Sequence, residues 1–450
     1  MQGLASRKIA VEVLMKVELE GAFANLALQS AFKQHSLSER DRAFVTALVQ
    51  GATRHIVELD RVIEQHSTRP LAKMTPALRA LLRCAFFQLI YMDDIPVSAV
   101  VNTAVQIARK TGHEGSARFT NGVLRSFKSK ADSKPDYSVP EWLVERWRMN
   151  FGEEETEALL KHSQEIPTLT LRVNESAITP EGMMRIFTEK GMKVEQSKLV
   201  PSCLNILDKG PVSGPVSKMP GYSEGLFAVQ DEASALVALV VAPSPGQTIL
   251  DLCSAPGGKA LHMGELMENK GRVLAADVNQ KRLNLIAPER RRLGLTNVET
   301  VQADGRYFIP QTTFDSILID APCTGTGVIN RRTDLSQRRK KEDLDELIEI
   351  QRELLNNAAR FLKPGGVLVY STCSMEPEEN RQNIEEFLRT HHEYRAEPLW
   401  DYLNSGIISL WKEEPHWQET SEQIESGMLQ LLPSRHSSSG FFISRLRRDS

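Results

Sequence analysis

The chain has 450 residues, 41% hydrophobic and 25% charged, with a formal net charge of -3. These proportions exclude a fibrous or largely disordered chain, and the length calls for two or three domains rather than one core. No stretch approaches the ~20 apolar residues of a membrane span, and the opening MQGLASRKIA has no apolar run behind its basic residues, so we expect a cytoplasmic chain with no membrane partner.

The small net charge conceals an asymmetry. Residues 1–130 carry 18 Lys and Arg against 11 Asp and Glu, an excess of +7, which leaves −10 for the rest. A basic front of this kind suits phosphate binding, although a solvated surface can carry the same excess. Apolar residues there recur at helical spacing from Leu4 to about Leu124, as in Ile9, Val13, Leu14 and Val17, then Ala43, Phe44, Ala47 and Leu48, predicting an all-helical domain. Ser38 ahead of Asp41 reads as an N-cap with an acidic first turn, and Pro70 and Pro76 punctuate the middle.

The polar stretch Ser126–Pro140, SFKSKADSKPDYSVP, reads as a linker. Beyond it, a helical segment, the alternating TLTLRVN and the patch GPVSGPVSKMPGY predict a small α+β module. After about residue 223, TILDLC, RVLAADV, VETVQAD, FDSILIDA and GVLVYSTC alternate with helical segments. That is the pattern of an α/β domain with a mostly parallel, doubly wound sheet covered on both faces. We therefore expect domains at 1–135, 136–222 and 223–450, with ligands at the carboxyl ends of the last domain's strands.

The first of those strands runs into DLCSAPGGKA, Asp251–Ala260. Glycines let the backbone approach a ligand and the following helix offers free N–H groups, so Cys253, Ser254, Ala255, Pro256, Gly257, Gly258 and Lys259 form a candidate nucleotide-cofactor loop. A tight βα turn is the plainer reading of such a loop alone, and it matches neither GxGxxG nor GxxxxGK[ST]. Asp277 closes the next strand, at the position where a carboxylate accepts from ribose hydroxyls, and Asp304 and Asp320 close the two after it. One strand-end aspartate is more often a cap; three in consecutive units point to a site.

The cysteines, Cys84, Cys203, Cys253, Cys323 and Cys373, include no CxxC pair, so neither disulfides nor a zinc or other metal site is expected. An isolated cysteine in an apolar run is usually a small buried hydrophobe. Cys323 in DAPCTGTG and Cys373 in YSTCS instead sit where two adjacent predicted strands end, beside Asp320, which suits reactive thiols.

DLCSAPGGK, ADG at Ala303–Gly305, DAPC at Asp320–Cys323, and STCS followed by Glu379 and Asn380 resemble the RNA cytosine-5 methyltransferases related to the nucleolar proteins Nop2 and Sun. GLFAVQDEASA from Gly225 and SSSGFFISRL near the end carry the resemblance across residues 223–446. Residues 1–130, most clearly SERDRAFVTALVQGATR, are similar to NusB-type helical RNA-binding domains, and the combination is that of bacterial small-subunit ribosomal RNA methyltransferases. Three positions depart from the family's pattern: Ala260 replaces the usual threonine, Thr324 a common serine, and Ser439 an acidic residue often found before GFF.

The resemblance implies a Rossmann-like class I methyltransferase core preceded by a NusB-like domain and the small α+β module. It implies S-adenosylmethionine as cofactor, held by residues 253–259 with Asp277, Asp304 and Asp320. It further implies methylation at C5 of one cytosine in 16S ribosomal RNA, cytosine 967, with Cys373 attacking C6, Cys323 assisting release, Asp320 at ring N3 and Lys259 near the base. Spacing alone leaves the two cysteines interchangeable. The partner would be small-subunit ribosomal RNA, unassembled or partly assembled, met by a monomer. Transfer RNA as substrate, and a non-catalytic RNA-binding assembly factor, are the competing readings. Basic clusters at Arg290–Arg292, Arg331 and Arg332, Arg338–Lys341 and Arg445–Arg448 are candidate phosphate contacts.

Overall fold

The computed structural model describes residues 3–127, 137–212 and 214–450, so the expected linker falls mostly outside the described residues. The chain forms two compact units, Met1–Ile166 with Ile329–Arg338, and Pro167–Val328 with Arg339–Ser450. No helix among the described residues is long and apolar enough to cross a membrane.

The first unit is helical: α1 (Leu4–Leu19), α2 (Ala24–Gln34), α3 (Glu39–Arg54), α4 (Ile56–His66), α5 (Pro76–Tyr91), α6 (Val97–Thr111), α7 (Glu114–Ser126), α8 (Glu141–Phe151) and α9 (Glu153–Gln164). The start signals work as read. Ser38 accepts from the Asp41 amide at 3.1 Å, and Thr75 caps α5 with Pro76 in its first turn. Apolar stripes of α1 to α7, including Val45, Leu48, Leu59, Ile63, Leu82 and Phe86, close one core.

Residues 329–338, directly downstream of the Cys323 loop, fold with this unit. Ile329 and Leu335 are buried, and Asn330 accepts from Arg54 Nη2 at its carbonyl (3.0 Å) while its amide meets His162 Nε2 (2.9 Å). Arg338 donates to the carbonyls of Gly21 and Ala22, and its guanidinium lies 4.7 Å from the Phe23 ring centroid.

The second unit holds two sheets. In the first, β1 (Leu169–Val173), β2 (Lys193–Gln196), β3 (Cys203–Asp208) and β4 (Phe227–Val229) pair antiparallel in the order β2-β3-β1-β4, covered by α10 (Pro180–Glu189) through Met183 and Phe187. In the second, β5 (Thr248–Leu252), β6 (Arg272–Asp277), β7 (Val298–Gln302), β8 (Phe314–Asp320) and β9 (Leu362–Thr372) are parallel. Three antiparallel strands, β10 (Tyr394–Ala396), β11 (Met428–Leu431) and β12 (Phe441–Arg448), complete it in the order β10-β12-β9-β8-β5-β6-β7, with β11 also on β12. This is the mostly parallel, doubly covered sheet that the apolar runs predict.

Strand periodicity explains the two layers. Ile249, Val273, Leu318 and Val369 enter one core with α11 (Glu232–Val241) and α12 (Gly258–Leu266). Their strand neighbours Leu250, Leu274, Ile319 and Leu368 enter the opposite core with Leu354 and Leu355 of helix Lys341–Ala359 and Ile384 and Phe387 of helix Arg381–Thr390.

One buried ion pair ties the small sheet to the helix that follows the candidate cofactor loop. Arg172 on β1, 1% exposed, donates to both carboxylate oxygens of Glu265 on α12 and, through Nε, to Gln230 Oε1 at 2.7 Å. Removing one partner strands the other charge, so Glu265→Ala is expected to destabilise the protein by about 3–5 kcal/mol in urea unfolding. Arg172→Met combined with Glu265→Leu is expected to recover most of that loss. A Glu265→Ala cost below about 1 kcal/mol would contradict this view of the pair.

Candidate active site

The residues singled out in the sequence gather at the carboxyl ends of β5, β6, β8 and β9. At the end of β5 the chain leaves the strand through Cys253, whose φ is +62°, and passes a cis Ala255–Pro256 bond to Gly257, φ +102°, which precedes α12. Gly257 needs that freedom, because a Cβ there would lie 2.6 Å from Ile286. A Cβ on Gly258 would meet nothing nearer than 3.8 Å, leaving an open cradle at the helix N-terminus.

Asp277 braces this loop from β6. Its Oδ2 accepts from the Ala255 amide at 3.0 Å and its Oδ1 from the Asn279 amide at 2.8 Å, while Arg282 donates to the Ala255 carbonyl. Val278, the next residue, is 65% exposed. An exposed apolar side chain beside a strand-end carboxylate suits the flat face of a nucleoside base above its ribose. Asp304 stands apart: its carboxylate is held by Arg306, Nη2 to Oδ2 at 2.6 Å, and that hydrogen bond keeps its pKa below the usual carboxylate range.

Asp251 is a residue the sequence reading quoted without giving it a role. It is fully buried, and neither its carboxylate oxygens nor the neighbouring Ser254 hydroxyl has a hydrogen-bond partner among the described residues. Burial, and after it the charge of Asp320, push its pKa up to about 8. A buried carboxylate with no ion pair in direct contact is expensive, and its place under the loop suits a cationic ligand group. Its signal in the sequence was a carboxylate inside an otherwise apolar strand. The same burial raises the Cys253 thiol. Unpaired acceptors, an open glycine cradle and an exposed apolar face fit a nucleoside cofactor that carries an ammonium group.

The second cluster adjoins the first. Asp320 ends β8; its Oδ2 pairs with Lys259 Nζ at 2.8 Å, and its Oδ1 accepts from Ser371 Oγ, its register partner on β9, at 2.9 Å. Lys259 is 8% exposed and lies 5.1 Å from the centroid of the Phe441 ring. Three residues beyond Asp320 is Cys323, and the Cys323 and Cys373 sulfurs are 3.4 Å apart. Cys323 is buried and Cys373 half-buried. The hydrogen bond shared with Cys373, then burial, drive the Cys323 thiol well above its usual range.

The loops are built to hold that contact. Gly327 N donates to the Cys373 carbonyl (3.0 Å), and Gly440 N donates to the Gly327 carbonyl (2.9 Å). A Cβ on Gly327 would sit 2.0 Å from the Gly440 carbonyl oxygen, so only glycine permits the approach. The departures from the family pattern also have places here. Ala260 is buried in α12, Thr324 bonds to Glu379, and Ser439 donates to Asp231 at the start of α11 (2.9 Å).

Several arginines of the basic clusters have intramolecular duties, which corrects the reading of those residues as phosphate contacts. Arg445, 3% exposed, is held by Glu397 and the carbonyls of Val240 and Val241, and Arg447 by Glu397 and Gly365. Arg448 donates to the Leu362 carbonyl. Arg290 donates to the Val298 carbonyl, Arg292 pairs with Glu289, and Arg339 grips the carbonyls of Cys323 and Thr324 at 3.0 Å each. Charge runs on strands and helix ends satisfy backbone carbonyls as readily as phosphates.

Comparison with known proteins agrees with this architecture. A family model described as 16S rRNA methyltransferase RsmB/F matches residues 238–447, a NusB family model matches residues 4–129, and an RsmF/B-like ferredoxin-like domain matches residues 139–213. The chain is 34% identical to the probable ribosomal RNA small subunit methyltransferase B of Synechocystis sp., over 99% of this chain and 100% of that one. The crystal structure of PH0851 aligns with a TM-score of 0.79 at 30% identity, covering 98% of this chain and 99% of that one. The structure of NSun6 from Pyrococcus horikoshii with SFG aligns at 0.59 and 25% identity, over 69% and 98%. With a NusB-like front, a ferredoxin-like module and a Rossmann-like core, the chain belongs to the 16S rRNA methyltransferase RsmB/F family and is a ribosomal RNA methyltransferase.

Proposed function

We propose that the protein methylates C5 of a single cytosine in 16S ribosomal RNA, cytosine 967, using S-adenosylmethionine and a covalent bond between Cys373 and C6. The observation that carries this reading is the pair of sulfurs 3.4 Å apart beside the Lys259–Asp320 pair. In this reading residues 1–135 hold RNA, 136–222 connect, and 223–450 carry the chemistry, acting as a monomer on unassembled or partly assembled RNA.

Cytosine C5 is too weak a nucleophile to be alkylated directly. A thiolate at Cys373 adds to C6, pushing the ring electrons toward C5 and N3. Asp320, oriented by Lys259 and Ser371, meets the charge that develops at N3, and the pair supplies the proton: Lys259 gives one to Asp320 as Asp320 gives one to N3. S-adenosylmethionine, when bound, supplies an electrophilic methyl group; residues 253–259, Asp277 and Asp304 would hold it, and Asp251 would face its ammonium. Cys323, as the thiolate, then takes the C5 proton; the C5–H electrons form the C5–C6 double bond as the C6–sulfur bond breaks to free Cys373, and N3 returns its proton to Asp320. The base reaches this pocket only by leaving its stack, which favours an unpaired region of RNA.

Support for the cofactor comes from the RsmB/F relationship and from the related NSun6 structure with SFG. Asp251 makes it testable by pH. With a folded pKa of about 8, Asp251 is protonated at neutrality, whereas in the unfolded chain it is ionised above about pH 4. Its contribution to stability therefore falls as pH rises from 4 to 8. A cationic ligand reverses that preference, so S-adenosylmethionine binding near pH 7 is expected to release close to one proton. Calorimetry in buffers of different ionisation enthalpy measures the release, and Asp251→Asn is expected to remove it. Equal proton release by the variant would sever Asp251 from the cofactor.

The function itself is tested by incubating the protein with methyl-labelled S-adenosylmethionine and 16S ribosomal RNA, then digesting to nucleosides. Label in 5-methylcytidine supports the reading. Cofactor binding with no label in any RNA would favour a non-catalytic assembly factor.

A further inference from the structure

Beneath the two cysteines lies a carboxylate that the proposed chemistry does not use. Glu379 has no exposed surface, and no ion pair meets it among the described residues. Its donors are neutral. Thr324 gives its amide to Oε1 at 2.8 Å and its hydroxyl to Oε2, and Gln351 Nε2 donates to Oε1 at 2.9 Å. Burial raises its pKa in spite of these bonds. A buried charge without a counter-ion weakens a fold rather than supporting it, so its retention calls for another reason.

The neighbours supply one. Thr324 follows Cys323, and its hydroxyl also meets the hydroxyl of Ser374, the residue after Cys373, at 3.0 Å. Gln351 donates to the carbonyl of Pro322, the residue before Cys323, at 2.9 Å. Asn380, next to Glu379, accepts from Thr372 at 2.6 Å and donates to the Ser374 carbonyl at 2.9 Å, bracketing Cys373. One carboxylate thus fixes the residue after Cys323, while its flanking residue fixes both neighbours of Cys373. Only a carboxylate offers acceptors to both Thr324 donors at once; an amide would turn an NH₂ group toward one of them.

We propose that Glu379 is a positioning residue for the release step: by holding Thr324 with both oxygens it keeps the Cys323 thiol within reach of a base bonded to Cys373. The proposal rests on the reading that Cys373 attacks and Cys323 releases. Attack needs only Cys373, whereas release needs both loops in register. Loss of the clamp therefore slows the second step more than the first, a split that a purely structural role does not produce.

The test uses the full chain, 16S ribosomal RNA and methyl-labelled S-adenosylmethionine, following first-turnover methylation and the label retained in a covalent protein–RNA adduct on denaturing gels. In Glu379→Gln and Thr324→Val, turnover is expected to fall about 10²-fold while first-turnover methylation falls far less, and label accumulates in the adduct. Thr324→Ser, which restores the hydroxyl, is expected to release faster than Thr324→Val. If Glu379→Gln does not fold, the Thr324 pair carries the same contrast. Methylation and release falling together without adduct, or equal release by the two Thr324 variants, overturns the role of Glu379. If Cys323→Ala traps no adduct and the wild type transfers no methyl, the underlying reading fails instead.

Discussion

Cys373→Ala is expected to lose methyl transfer by roughly 10⁴-fold or more, whereas Cys323→Ala transfers the methyl group and stays bonded to its RNA. The contrast follows from where each sulfur sits. Cys373 is the more exposed of the two and can meet a base entering the pocket, while Cys323 is buried behind it with its thiol pushed well above the ordinary range. A buried thiol of raised pKa is a poor initial nucleophile, which leaves the attack on C6 to Cys373. Without Cys373 no addition to C6 occurs and C5 is never activated. Without Cys323 the methylated ring cannot shed its proton, and the adduct persists through denaturing electrophoresis. The opposite pattern would exchange the roles, and adducts in neither variant would remove the two-thiol mechanism.

The second large effect is expected at Asp320. Asp320→Asn keeps the shape and the contact with Ser371, but takes the acid from the ring nitrogen and the carboxylate from Lys259. General acid–base groups contribute about 10²–10⁴-fold, and the loss should fall in that range in single-turnover methylation. Protonation at N3 accompanies attack at C6, so Asp320→Asn placed in Cys323→Ala is expected to abolish the trapped adduct. An undiminished rate of adduct formation in the double variant would show that Asp320 acts after attack or not at all.

Local pattern carried much of this fold in the sequence. Runs such as TILDLC and FDSILIDA are apolar on both faces because both faces are covered, and that is visible without knowing the partners. The four residues proposed for catalysis fall together for a related reason. Parallel strands deliver their carboxyl ends to one edge, so Lys259 after β5, Asp320 and Cys323 at the end of β8, and Cys373 after β9 become neighbours once the strand order is guessed. Long-range pairing was less legible. Arg445–Arg448 read as phosphate contacts, yet they end β12, antiparallel to β9, and Arg445 is buried against Glu397. Arg338 reads as a phosphate contact, but it is engaged within the helical unit, as is Asn330. Asp304 reads as one more strand-end carboxylate like Asp277, and no periodicity signals that Arg306, two residues on, pairs with it. Asp251 and Glu379 were in view only as parts of motifs; their burial is set by elements distant in sequence.

Bisulfite sequencing of 16S ribosomal RNA tests the central claim most directly, because 5-methylcytosine resists the conversion that unmodified cytosine undergoes. Cells lacking this gene are expected to lose protection at cytosine 967 alone, to regain it with the wild-type protein, and to remain unprotected with Cys373→Ala. Protection that persists without the gene, or that returns with Cys373→Ala, would contradict the account.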